Sequence, residues 1–157
     1  MEIERRFIVA GFPNAKIIRK ASIEQGYLCI DEVEARIRKT VKEDCITYKL
    51  CFKSDGTLSR KEVEFEIDEV RYLALLDLLT GTMIKKDYRV YEFMDKHLEV
   101  CEVDADTETA YYYAEIEFDT EEEAMAFNAQ DIPLLIKEVT YDSSYNMKNY
   151  WLKTRRK

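Results

Sequence analysis

Apolar and polar residues alternate along the chain as far as Ile67, and the side chains of a strand point by turns to its two faces. In MEIERRF, Glu2, Glu4 and Arg6 share one parity, and Ile3, Arg5 and Phe7 the other. IEQGYLCI sets a glycine beside an aromatic, which predicts a bend into a short strand. VEARIRKTV opposes Val33, Ala35 and Ile37 to Glu34, Arg36 and Arg38. CITYKLCFK opposes Tyr48, Leu50 and Phe52 to Lys49, Cys51 and Lys53. After the turn signal SDGT, LSRKEVEFEID places Arg60, Glu62, Glu64 and Glu66 against Val63, Phe65 and Ile67.

The period changes at Asp68. DEVRYLALLDLLTG carries a capping acid, apolar residues at helical spacing (Val70, Leu73, Leu76) and a closing Gly81, which predicts an amphipathic helix over 68–81. TMIKKDYRVYEF and KHLEVCEVD read as a hairpin across MDK. AYYYAEIEF sets Tyr111, Tyr113, Glu115 and Glu117 against Tyr112, Ala114, Ile116 and Phe118. TEEEAMAFNAQ predicts a helix with Thr120 and Glu123 as a capping box. KEVTYD is a short strand, and SSYNMKNYWLKTRRK a C-terminal helix whose basic end suits the helix dipole. The expected class is mainly β (α+β), with seven or eight strands, two or three helices and a single domain over 1–157. Hairpin connections imply antiparallel pairing, and a sheet this long must pack on itself or close into a barrel.

Which parity faces inward decides the chemistry. If the apolar faces fill the barrel, Val33, Ala35 and Ile37 line it, the charges face water, and the cavity suits a small hydrophobic ligand. If the helices cover the apolar parity from outside, the charged parity faces a wet lumen, because unpaired charge cannot be buried dry. Arg36, Arg38 and Lys53 then suit a polyphosphate, since guanidinium groups fork onto phosphate oxygens. Glu2, Glu4, Glu115 and Glu117 would repel that ligand unless they held a bridging divalent cation, for which hard Mg²⁺ or Mn²⁺ is the natural choice.

Composition trims the alternatives. A net charge of -8 argues against a nucleic-acid binder working through a general basic surface. No apolar leader and no run of ~18 apolar residues is present, so neither secretion nor a membrane is expected. Cys29, Cys45, Cys51 and Cys101 lack C-x-x-C spacing and read as reduced thiols of a cytoplasmic protein rather than a zinc site. The sole histidine, His97, cannot build a His cluster and reads as an ordinary strand or turn residue. The 11 tyrosines and Trp151 are compatible with a monomer or a homodimer.

The segments EIERRF, EARIR, FKSDGTLSRKEVEFEI, CEVD, AEIEF and KEVTYD, in this order, resemble the signatures of the CYTH superfamily, the triphosphate tunnel metalloenzymes. The resemblance implies an eight-stranded antiparallel β-barrel tunnel with a polar, charged lumen and helices packed outside. It implies a Mg²⁺- or Mn²⁺-dependent hydrolase acting on phosphoanhydride bonds of a small anionic substrate. Inorganic tripolyphosphate comes first, thiamine or nucleoside triphosphates next. A non-catalytic organophosphate- or polyphosphate-binding module and a class IV adenylate cyclase-like enzyme are the alternatives. By matching position, Glu2, Glu4, Glu102, Glu115 and Glu117 would hold metal, and Glu2, Glu4, Lys86, Glu115 and Glu117 would carry the catalysis. Arg6, Arg36, Arg38, Lys53, Arg60, Lys86 and Lys137 would hold phosphates, Glu64 could orient water, and Tyr27 would belong to a mobile entrance. Three departures stand out. Arg6 replaces a lysine. Tyr88 falls where the family has arginine, so that Arg89 could serve only through a bulge. Ser143-Ser144-Tyr145 lacks the usual base, for which Lys148 would compensate.

Overall fold

Ten strands join one sheet in which every pairing is antiparallel. They are β1 (Glu2–Val9), β2 (Ile17–Ile30), β3 (Val33–Lys42), β4 (Cys45–Ser54), β5 (Ser59–Arg60), β6 (Glu62–Ile67), β7 (Ile84–Phe93), β8 (Lys96–Val103), β9 (Tyr111–Glu117) and β10 (Leu135–Glu138). This computed structural model describes residues 1–79 and 81–155; Thr80, inside the helix expected over 68–81, and the last two residues of the expected C-terminal helix lie outside the described residues.

The sheet order is β10-β1-β9-β8-β7-β2-β3-β4-β6, and β5 pairs with β1. Only Lys61 separates β5 from β6, so the two act as one interrupted strand. β1 keeps one edge on β9 and divides the other: Glu2 and Ile3 face Arg60 and Ser59, while Phe7 to Val9 face β10. The ring thus closes as eight staves, the number that the family resemblance implies, with β10 attached outside it as an extra strand. Two tight hairpins follow from local chemistry. Lys42↔Cys45 and Phe93↔Lys96 close two-residue turns in which Glu43 and Met94 take positive φ (37° and 55°). The glycine segment departs from expectation: Gly26 does not bend the chain but sits within the 14-residue β2. Its missing side chain admits the neighbouring layer, since a Cβ there would lie 2.7 Å from Met83 Sδ.

The helices cover part of the apolar parity, while Ile46 and Phe52 of β4 and Val63 and Phe65 of β6 stay exposed. Helix α1 (Glu69–Leu76) is capped by Asp68, whose carboxylate accepts from the Arg71 amide at 2.8 Å. It ends at Asp77 rather than at Gly81. It packs on β3 and β4 through Tyr72, which meets Tyr48 at 4.7 Å, and not through the expected stripe, since Val70 and Leu73 are exposed. Helix α2 (Glu121–Ala126), capped by Thr120, lies outside β1 and takes two guanidinium hydrogen bonds from Arg5. Under α2 and the segment that follows it, Phe7, Val9, Leu98, Val100, Ala114 and Ile116 form the outer core. Ile37 and Ala35 are buried on the outer side of β3, so an apolar lumen is excluded.

Helix α3 (Met147–Arg155) follows a 3₁₀ turn at Ser143–Tyr145 and departs from the expectation of helices only outside. It plugs one end of the barrel. Met147, Tyr150 and Trp151 pack with Tyr27, Tyr113, Ile84 and Val103, residues drawn from the same ends of four neighbouring strands. Asp104 fixes the plug by accepting from Tyr150 Oη at 2.6 Å and Arg155 Nη2 at 2.9 Å, and Trp151 Nε1 donates to the Thr82 carbonyl at 3.0 Å. Gly81 serves this contact rather than a cap: a Cβ there would lie 2.9 Å from the Trp151 ring. Among the described residues no helix is long and apolar enough to cross a membrane. Trp151 is almost fully buried. Trp151→Ala is therefore expected to cost about 3–5 kcal/mol in urea unfolding, and a loss under about 1 kcal/mol would mean that α3 does not seal the barrel.

Candidate active site

The lumen is a cavity of about 410 Å³. Its wall is assembled by strand parity, and each strand contributes the charges that alternation assigned to one face. Arg36, Arg38, Lys49 and Lys53 from β3 and β4, with Arg60 from β5, make a basic wall. Glu2 and Glu4 from β1 and Glu115 and Glu117 from β9 make an acidic wall, joined by Glu99 from β8. β7 lies between the two walls and contributes Lys86 and Tyr88.

Ion pairs run within and between the walls: Lys53–Glu2 joins the two, Arg6–Glu115 lies on the acidic side and Arg60–Glu34 on the basic side. Lys53 Nζ lies 3.0 Å from Glu2 Oε1, Arg6 Nη2 lies 3.0 Å from Glu115 Oε2, and Arg60 Nη1 lies 2.9 Å from Glu34 Oε1. Burial pushes the Glu2 carboxyl up, but its hydrogen bond with Glu62 and the Lys53 charge prevail and hold it at about 2. Its neighbour Glu62 goes the other way, to about 7, through burial and the shared bond with Glu2. Glu4 is raised by burial and by Glu115, while Glu115 is lowered because Arg6 overcomes its own burial. Glu99 is raised to about 7 by burial and by Glu115. On the basic side, burial lowers Lys86 to about 7, with Arg38 and Arg36 nearby, and its Nζ donates to Tyr113 Oη at 2.7 Å.

Among the described residues, two buried side-chain nitrogens have no hydrogen-bond partner, Arg36 Nε and Arg38 Nε. A buried guanidinium N–H left unpaired is costly, and an anion in the lumen is the group that would satisfy it. The facing carboxylates offer only oxygen donors, which fits a hard divalent ion of the Mg²⁺ or Mn²⁺ kind. Among the described residues, the group of potential ligands whose donor atoms already lie within 4.8 Å of one another is Cys51, Glu62 and Glu64, beside the basic wall.

The sequence-derived residues divide as follows. Glu2, Glu4, Arg6, Tyr27, Arg36, Arg38, Lys53, Arg60, Glu64, Lys86, Glu115 and Glu117 all line the lumen. Glu102 does not. It is on the outer face of β8 and accepts from Tyr112 Oη, because Leu98, Val100 and Glu102 share the outward parity while Glu99 and Cys101 point inward. Lys137 does not either: β10 is outside the ring, and Lys137 is exposed over the Tyr145 ring at 4.5 Å. Arg89 faces outward, paired with Asp87 at 3.0 Å and stacked on Phe12, since β7 and β8 pair without a register shift. Lys148 bonds Asp55 at 2.8 Å. Tyr27 is not at a mobile entrance but buried under α3, its ring 5.9 Å from that of Trp151. Glu99 was missed, although its parity with Cys101 in LEVCEV was available in the sequence.

No family model matches the chain. The inorganic triphosphatase of Nitrosomonas europaea is 34% identical over 149 residues, covering 94% of each chain. A crystal structure of the inorganic triphosphatase NE1496 superposes with a TM-score of 0.66 at 28% identity, over 96% of this chain and 93% of the other. The PH1819 protein of Pyrococcus horikoshii shares the fold, with a TM-score of 0.60 at 21% identity, over 80% of this chain and 82% of that one. With identity at this level over nearly the whole length, the closed antiparallel barrel and its charged lumen, the chain belongs to the triphosphate tunnel metalloenzymes of the CYTH superfamily.

Proposed function

We propose that the lumen hydrolyses inorganic tripolyphosphate with Mg²⁺ or Mn²⁺ held by Glu2, Glu4, Glu115 and Glu117. The observation that carries this reading is the pair of buried, unpartnered guanidinium nitrogens of Arg36 and Arg38, which face an acidic wall across the cavity. The name of the Nitrosomonas relative supports the choice of an inorganic substrate. Four free thiols suit a reducing, cytoplasmic setting.

Arg36, Arg38, Lys53 and Lys86 would take the phosphate oxygens, over which charge spreads during phosphoryl transfer. A divalent ion on the acidic wall would supply Lewis acidity and lower the pKa of water. Glu64, which accepts from Lys49 at 2.9 Å, lines the lumen close enough to the basic wall to orient a water. Tyr27 and Tyr113 close the plugged side and keep bulk water from it. No side chain need form a covalent intermediate.

Arg6 and Lys53 are already engaged by Glu115 and Glu2. An anion that draws off the cations alone strands the acids, and a metal that draws off the acids alone strands the cations. Each case leaves buried charge unpaired, which costs about 3–5 kcal/mol when one partner of a buried pair is removed. The two ligands should therefore bind together.

A second reading, a tunnel that binds polyphosphate without cleaving it, draws on Tyr88, which stands in the lumen where the family resemblance implies an arginine.

Three measurements test this function. Glu115→Gln should lower Mn²⁺-dependent phosphate release from tripolyphosphate by about 100-fold or more, and near-normal turnover would remove Glu115 from the metal wall. In calorimetry, Mn²⁺ should tighten tripolyphosphate binding by at least about tenfold in the parent and less in Lys53→Met; binding with no release of phosphate would favour the second reading. Lys86 is cationic below its depressed pKa of about 7 and neutral above it, so polyphosphate affinity should fall between pH 6.5 and about 8.5. That fall should flatten in Lys86→Met; an unchanged slope would mean that Lys86 does not meet the anion.

A further inference from the structure

On the proposed reading of the acidic wall, we infer that Glu99, aimed by Tyr88, is a further ligand to the divalent cation and fills the late-strand position that sequence matching gave to Glu102. Glu99 is the cross-strand partner of Glu115, and Glu115 that of Arg6, so the three side chains lie side by side on the lumen face of β8, β9 and β1. Such partners have Cβ atoms about 5 Å apart, within the span of one bridging cation. On the other side Glu99 faces Val90, which is apolar and fully buried.

The charge balance around Glu99 groups it with the acids that are free to take a cation. Among the described residues no lysine or arginine lies within ion-pair distance of Glu99, Glu4 or Glu117, whereas Glu2, Glu34, Glu64 and Glu115 are ion-paired. The hydrogen-bond partner of Glu99 is the hydroxyl of Tyr88, which donates to Oε1. A neutral donor orients the carboxylate without cancelling its charge, and among the described residues none donates to Oε2. An arginine at position 88 would instead neutralise Glu99. With tyrosine where the family resemblance implies an arginine, the phosphate side has one cation fewer and the metal side gains an acid that no cation neutralises. Glu102 has the opposite setting, on the outer face beneath Tyr112.

Mn²⁺ titrated into the full chain, by calorimetry with free Mn²⁺ counted by electron paramagnetic resonance, tests the assignment without relying on turnover. Glu99→Gln should weaken Mn²⁺ binding by about tenfold or more, and Glu102→Gln should leave it within about twofold of the parent. Tyr88→Arg should weaken Mn²⁺ about as much as Glu99→Gln, while tightening tripolyphosphate binding without metal by about threefold or more. If Glu99→Gln melts early, Glu99→Asp should fold and give an intermediate loss. The assignment is overturned if Glu99→Gln binds Mn²⁺ like the parent, if Glu102→Gln loses as much, or if Tyr88→Arg leaves Mn²⁺ affinity unchanged. Failure of the parent chain to bind Mn²⁺ at all would instead overturn the reading of the acidic wall.

Discussion

Charges of both signs on one face of a closed sheet cannot be left dry and unpaired, and the rest of this structure follows from that constraint. The apolar parity then faces outward, where α1 and α2 cover part of it and Phe52, Val63 and Phe65 stay exposed. The charged parity must be solvated or mutually neutralised, so the interior remains a cavity whose charges pair as Lys53–Glu2 between the walls, Arg6–Glu115 within the acidic one and Arg60–Glu34 within the basic one. What pairing does not satisfy is left to a ligand, and among the described residues the buried side-chain atoms that remain unsatisfied are guanidinium nitrogens. The preference for an anion is therefore set by the surplus on one wall.

The same constraint explains how the barrel is shut. Closure between β1 and β5 rests on two residue pairs, a short ladder for a ring of this size. Arg60 is both a member of that ladder and the partner of Glu34 across the lumen, with Glu2 at 3.8 Å. The seam is thus held by backbone pairing and by ionic contacts of the site itself. At the plugged end the aromatic side chains of α3 take over where the charged rows stop, and Asp104 anchors them through Tyr150 and Arg155. Site and scaffold are the same set of interactions along that seam, so substitutions there should rarely separate stability from binding.

Most of the barrel was legible from the sequence because parity is a local property. Glu34, Arg36 and Arg38 had to share a face whatever their surroundings, and the helices decided which face. The errors occur where the outcome depends on partners distant in sequence. Gly26 read as a bend because nothing local shows that Met83 and Leu79 press against it within a long strand. Gly81 read as a helix cap because Trp151, which requires its small size, is seventy residues away in the chain. Lys137 carried the right charge on a strand that attaches outside the ring. Glu102 matched a family motif by order, but a one-residue offset changes the face of a strand, and the buried Leu98 and Val100 fix the outward parity of β8.

The net charge of -8 sets this protein against its own substrate class at long range. A free polyanion approaching the acidic exterior is repelled, and beyond about 10 Å in physiological salt the basic wall is screened from it. Capture must then depend on short-range contacts inside the lumen, where the dielectric is lower and the guanidinium groups are already desolvated. A polyphosphate chelated by a divalent ion carries less charge, meets less repulsion at the mouth, and presents a cation to the acids that would otherwise oppose it. The acidic exterior, the internal ion pairs and the unpartnered Nε atoms of Arg36 and Arg38 therefore favour the same ligand: a metal–polyphosphate complex rather than either component alone.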